Sequence, residues 1–318
     1  MVLNSTRNLI VVVGNVRYDP ADFVDIGNRV AALAPDIRVF VVGSTKSANK
    51  VPAAIWRDPT LTIAFSGGSN FNPIRGRFIC NRKIKKLEQV AVLRSAGIPV
   101  PHSEIFKPGM KLDAKIWGDL VLLKAAPVDI SSRVEKIQLY RRSKLEAMAL
   151  ADFPEEYAVR RMPMILQPFI DTGIKPSKYR VLTFCGEVLY AQYLELVQPR
   201  SSLAAADEEL ESATVATSGV ERVYFHGNYP EVAELGRRVA RTFPNVPILG
   251  VDIIRDANNG QLWVLEINAG GNVWHFSSPR WAERRKRFPE ILKQMHTQYN
   301  AFDTAARALI ATTHRLAT

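Results

Sequence analysis

Asp252, Glu266 and Asn268 lie in VDIIRDANNGQLWVLEIN, two apolar strand-like runs around an Asn-Asn-Gly turn. A three-residue loop of Asn258, Asn259 and Gly260, with Gly260 supplying positive φ, pairs residue 257 with 261 and therefore Asp252 with Glu266. Alternation then brings Asn268 to the same face and sends Trp263, Leu265 and Ile267 to the other. A two-residue Asn259-Gly260 turn would instead put Asp252 on the opposite face, so the constellation depends on loop length. Facing carboxylates repel, and burial adds to the cost, so the pair calls for a compensating cation or a proton. Oxygen donors with room left for phosphate and water suit Mg²⁺. The bland alternative is a strand-end acid, a glutamate paired with an arginine, and an asparagine capping the next turn.

The elements that must position these residues are read from apolar periodicity. NLIVVVG is a buried strand, DPADFVDIGNRVAALAP an amphipathic helix, and IRVFVVG and LTIAFSGG two further strands, a βαβ-like order that predicts a parallel sheet. The turn VGNVRYDP lacks the spaced glycines of a dinucleotide fingerprint, which excludes a nicotinamide-binding reading. NRKIKKLEQVAVLRSAG places Ile84, Leu87 and Val90 at helical spacing and stops at Gly97 before GIPVP. Beyond residue 100 follow the strand DLVLLKA, the polar loop APVDISSRVEK, the strand QLYRR, the helical KLEAMALAD and the strand MILQPFI. Then come a hairpin, YRVLTFCGEVLYAQYLEL, a polar stretch at about 200–219 that is the best candidate for a mobile loop, and the helix PEVAELGRRVARTF.

The chain has 318 residues, 47% hydrophobic and 23% charged, enough for a substantial core in two or three subdomains. No apolar run approaches the ~18 residues of a membrane span, and NLIVVVG lacks a basic leader, so the expectation is a cytoplasmic protein without membrane contact. Cys80 and Cys185 are far apart in sequence and read as reduced apolar residues. The formal charge of +11 favours anionic partners. Its densest run, ERRKR at 283–287, reads as a solvated helix face, and without interleaved aromatics nucleic acid is not the expected partner.

VDII followed by LWVLEINAGGN resembles the metal-binding end of ATP-grasp proteins, and the order of GIPVP, Lys124, MILQPFI and YRVLTFCGEVLYA extends the resemblance to all but residues 279–318. The chain is similar to carboxylate-amine ligases of the group containing ribosomal-protein glutamate ligases, glutathione synthetases and D-alanine:D-alanine ligases. The resemblance implies an α/β (α+β) ATP-grasp fold: an N-terminal βαβ subdomain at 1–100, a small central subdomain at 101–172 and a C-terminal subdomain at 173–318. It implies ATP and Mg²⁺ as cofactors, two ions with Mn²⁺ as an alternative, held by Asp252, Glu266 and Asn268. A carboxylate would take the γ-phosphoryl group, and an amine would then displace phosphate.

By the same resemblance, Lys124 meets the α- and β-phosphates, with Lys86 or its neighbour Lys83 as the second phosphate lysine, and Arg180 reaches the terminal phosphate. Many relatives carry an acid two residues before that arginine, where this chain has Lys178. Gln167, Pro168 and Phe169 match the adenine hinge, with the Phe169 N–H as donor, and Asp171 is placed on ribose; the plain alternative is a buried strand running into a turn. The loop after Lys124 lacks the glycines common in relatives, so either Ser131, Ser132 and Arg133 face phosphate in their place or the loop does not close tightly, which bears on turnover more than on nucleotide binding. Gly270, Gly271, Asn272, His275, Ser277 and Arg280 line the acceptor side, although a lone histidine among aromatics is more often structural. The expected partners are a small acid, anionic in character, and an amine, with a homodimer as the commonest assembly. Rival readings are a kinase on the same scaffold and a nucleotide-binding regulatory protein with weak or lost catalysis.

Overall fold

The computed structural model describes residues 6–14, 18–43, 51–65, 71–126, 137–215, 220–269 and 273–318. The first unit contains β1 (Arg7–Val13), α1 (Pro20–Leu33), β2 (Ile37–Gly43), β3 (Thr60–Ala64), β4 (Arg77–Cys80) and α2 (Lys86–Ser95). Its sheet is parallel throughout, in the order β2-β1-β3-β4. The unbroken apolar run of β1 follows from burial on both sides: Leu9, Val11 and Val13 face one core cluster, Ile10 and Val12 another. Asp19 caps α1 by accepting the Ala21 N–H at 2.9 Å, and Pro20 opens the helix. β4 was not among the expected strands.

The middle unit contains β5 (Glu104–Ile105), α3 (Ala114–Trp117), β6 (Leu120–Ala125), β7 (Gln138–Arg141), α4 (Arg142–Ala147) and β8 (Met164–Pro168). These strands form an antiparallel sheet in the order β5-β8-β6-β7. The last unit contains β9 (Ser177–Phe184), β10 (Glu187–Leu196), α5 (Asp207–Ser212), β11 (Arg222–Phe225), α6 (Pro230–Thr242), β12 (Ile248–Arg255) and β13 (Leu262–Asn268). Its five-stranded antiparallel sheet runs β11-β10-β9-β12-β13. Phe184 pairs with Glu187 across Cys185 (φ 48°) and Gly186 (φ 96°), the left-handed pair that a two-residue hairpin turn demands.

The helices α7 (Ala282–Arg287), α8 (Pro289–Thr297) and α9 (Ala301–Leu316) complete the chain. α9 returns to the first unit, where Ala305, Ala306 and Leu309 share one core with Phe23, Ile26 and Val30 of α1. The polar stretch at 200–219 is not simply a loop: α5 forms within it and docks on the middle unit through Arg141–Asp207 and Lys144–Glu211. Among the described residues, no helix is long and apolar enough to cross a membrane.

Candidate active site

The β12–β13 hairpin reaches the expected pairing by another route. The Asp256 N–H donates to the Gln261 carbonyl, so the loop is 257–260, one residue longer than expected, with Gly260 at φ 77°. Arg255 then opposes Leu262, a register that would set Leu265 against Asp252. A bulge between Asp252 and Ile253 absorbs one residue of β13 and restores Asp252 opposite Glu266. The bulge also changes the apolar face, so that Val264 and Ile267, rather than Trp263, Leu265 and Ile267, enter the core cluster under α6.

Paired positions on an antiparallel sheet share a face, and one polar row crosses this sheet. Glu266 pairs with Asp252, Asp252 with Arg180, and Arg180 with Gln192. His226, one residue beyond β11, continues the row through a 2.7 Å hydrogen bond to Gln192. The next row on the same face is Tyr190, Leu182, Gly250 and Asn268. Asn268 Nδ2 lies 3.5 Å from Glu266 Oε1, so the amide and the carboxylate adjoin.

The cation that the facing acids require comes from the chain. Asp252 is 1% exposed. Its Oδ1 accepts from Arg180 Nε at 2.7 Å, and its Oδ2 from Arg180 Nη2 at 2.8 Å and Lys178 Nζ at 2.7 Å. Burial works against the Asp252 charge, but Arg180 and Lys178 outweigh it and hold the carboxyl well below its usual range. Burial likewise opposes the Arg180 charge, and Asp252 more than offsets it.

Lys86 and Lys124, from the other two units, lie near enough to Glu266 to feel its charge. Lys86, in the first turn of α2, donates to the Ala125 carbonyl at 2.6 Å, beside Lys124. Lys83 is exposed. Lys124 Nζ donates to Gln167 Oε1 at 3.0 Å, and Gln167 Nε2 donates to Ser103 Oγ at 2.9 Å, so a buried amide aims the ammonium. Burial pulls Lys124 down to about 8, with Glu266 opposing the shift and Lys86 adding to it. Burial lowers Lys86 as well, again against Glu266. α2 is locked to the sheet edge by Gln89, whose Oε1 accepts the Ile267 N–H at 2.9 Å while its Nε2 donates to the Ile267 carbonyl at 3.1 Å. Neither Gln89 nor the aiming role of Gln167 was read from the sequence; an amide on the apolar side of a helix was the available signal for Gln89.

The hinge residues are engaged within the protein. The Phe169 N–H, expected to donate to a base, donates to the Leu120 carbonyl at 2.9 Å. Asp171 accepts from Arg200 Nη2 at 2.9 and 3.1 Å and from the Gly173 N–H at 2.9 Å. Pro168 pairs with Val121. Ser131, Ser132 and Arg133, together with Gly270, Gly271 and Asn272, lie outside the described residues.

Of the remaining acceptor-side residues, His275 is buried, stacked on Trp281 at 3.8 Å, with Nδ1 2.9 Å from the Tyr190 hydroxyl. Burial and then Arg180 hold its imidazole well below the usual range, so it is neutral at pH 7. Ser277 Oγ accepts from the Asp19 N–H at 3.0 Å, and Arg280 is exposed. The basic run at 283–287 is only partly a solvated face. Arg285 donates to the carbonyls of His275, Ser277 and Ser278, and the Arg284 guanidinium lies 3.8 Å from the centre of the Tyr224 ring. Among the described residues, no group of three or more His, Cys, Asp or Glu is arranged to hold a metal. Glu266 and Asn268 do offer adjacent hard oxygen donors, which fit Mg²⁺ by chemistry.

No protein-family model matches the chain, and no curated protein matches it by sequence. Solved structures do match in fold. The ATP-grasp ligase PsnB complexed with a minimal precursor aligns over 98% of this chain and 100% of its own, at 16% identity and TM-score 0.51. PsnB complexed with a phosphomimetic variant of that precursor, Mg and ADP aligns over 96% and 98%, at 14% identity and TM-score 0.50. D-alanine–D-alanine ligase from Bacillus anthracis aligns over 96% and 97%, at 11% identity and TM-score 0.47. By its likeness to the PsnB structures, nearly the whole chain takes the ATP-grasp fold.

Proposed function

We propose that this protein is an ATP-dependent carboxylate-amine ligase. The observation that carries the reading is the meeting of Lys86, Lys124, Arg180, Glu266 and Asn268 from three separate units around one polar face. That arrangement offers cations to phosphate oxygens and oxygen donors to Mg²⁺, which is what phosphoryl transfer requires. Mg²⁺ supplies charge neutralisation at the phosphates, with Glu266 and Asn268 as its protein donors. A structure of the same fold holds Mg and ADP, in keeping with this assignment.

Lys124 and Lys86 bind the nucleotide phosphates, and Arg180 steadies the group in transfer. A substrate carboxylate oxygen attacks the γ-phosphorus and ADP leaves. An amine then attacks the acyl carbon, and phosphate leaves with formation of an amide. His275 stays neutral and holds the Tyr190 hydroxyl, so it shapes the acceptor wall without carrying charge. The +11 charge favours an anionic acid, an amino acid, a peptide or a related metabolite. A binding-only regulatory reading is favoured by one feature, the engagement of the Phe169 N–H and Asp171 inside the protein.

The test is ADP release from Mg-ATP with pools of amino acids, peptides and other carboxylates and amines, with products identified by mass spectrometry. The expected product has the mass of acid plus amine minus water. A phosphorylated hydroxyl would establish a kinase instead, and nucleotide binding without stimulated ADP release would establish the regulatory reading.

A further inference from the structure

Lys178 lies two residues before Arg180 on β9, hence on the same face, and both reach the one carboxylate of Asp252. Three N–H donors at 2.7 to 2.8 Å occupy both oxygens of a side chain that is 1% exposed. A metal ion taking Asp252 as ligand would have to displace this arrangement. Among the described residues, Asp252 is the sole carboxylate paired with Lys178, whose side chain is 12% exposed, so the displacement would leave a largely covered ammonium unpaired beside a divalent ion. Arg180 differs, because it also feels Glu266 and has a planar fork suited to phosphate. It can turn to a phosphate while Lys178 alone keeps Asp252 neutralised.

We infer that Lys178 stands in for one divalent ion: the nucleotide site takes a single Mg²⁺, on Glu266 and Asn268, and Asp252 ligates none. The inference rests on the Mg-nucleotide reading proposed above and adds the number of ions to it. It assigns Asp252 a different job, fixing Lys178 and holding Arg180 in line until phosphate arrives. Exchanging Lys178 for an acid changes the local charge by two units, the charge of one Mg²⁺, so Lys178→Asp should open the second ion position.

The experiment is equilibrium dialysis of the full chain against a non-hydrolysable ATP analogue and saturating Mn²⁺, counting the excess of each in the protein chamber. The expected result is one analogue and one Mn²⁺ per chain, rising to two Mn²⁺ in Lys178→Asp. One analogue with two Mn²⁺ in the unaltered chain overturns the inference and leaves the Mg-nucleotide reading intact. No bound analogue, or analogue without Mn²⁺, overturns both. If Lys178→Asp does not fold, the one-to-two distinction in the unaltered chain still decides. A folded Lys178→Asp that stays at one Mn²⁺ overturns the assignment to Lys178.

Discussion

A lysine binds anions only in its charged form, and burial brings the proton loss of Lys124 down to about 8. Its charge fades as pH rises through that value, so affinity for metal-free ADP should fall between pH 7 and 9. Titration calorimetry should show this fall in the unaltered protein and a flat, weak profile in Lys124→Met. The same shift affects stability with a definite sign. The unfolded chain keeps this proton to about 10.4, so between the two values it binds more protons, and this group makes the fold gain stability as pH rises. Glu266→Gln and Asn268→Ala should each reduce Mg-ATP turnover by about a hundredfold or more while leaving the melting curve near that of the parent. Turnover at the parent rate in both would remove the metal assignment.

At the scale of elements, Gly250 lies two residues before Asp252 on the same face of β12, and a Cβ there would stand 2.3 Å from Val273 Cγ1. Gly250→Ala should cost about 1–3 kcal/mol in urea unfolding, with Val273→Ala recovering part of the loss. Gln89→Leu should leave the Ile267 backbone groups unpaired, destabilise the chain by about 1–3 kcal/mol, and weaken nucleotide binding through Lys86. How much of this was legible depends on how local each cause is. The β1 run and the Cys185–Gly186 hairpin were readable because burial and turn chemistry act within a few residues. The four-residue β4 begins with an exposed Arg77 and has no such signature. α5 offers a single buried residue, Leu210, and its anchors Arg141 and Lys144 lie 66 and 67 positions away. The facing of Asp252 and Glu266 was legible, but the hairpin loop and its compensating bulge were not, since two register errors of one residue cancel. Lys178 and Arg180 on Asp252 could not be seen without knowing that β9 pairs with β12.

Across the whole molecule, the site belongs to no single unit: α2 supplies Lys86, the middle sheet Lys124, and the last sheet Arg180, Glu266 and Asn268. Hinge-like movement between these units would change the spacing of these cations and oxygen donors together. The packing of α9 on α1 ties the last unit back to the first, supported by Arg29–Asp303 and by the Trp274 indole on Asp22 at 2.7 Å. Ending the chain after residue 300 should uncover Phe23, Ile26 and Val30 and send the product into the insoluble fraction on expression. During synthesis, the first strands leave the ribosome long before α9 exists. The core that these strands begin is thus closed only once α9 has been made, and until then its apolar face must be shielded from other nascent chains.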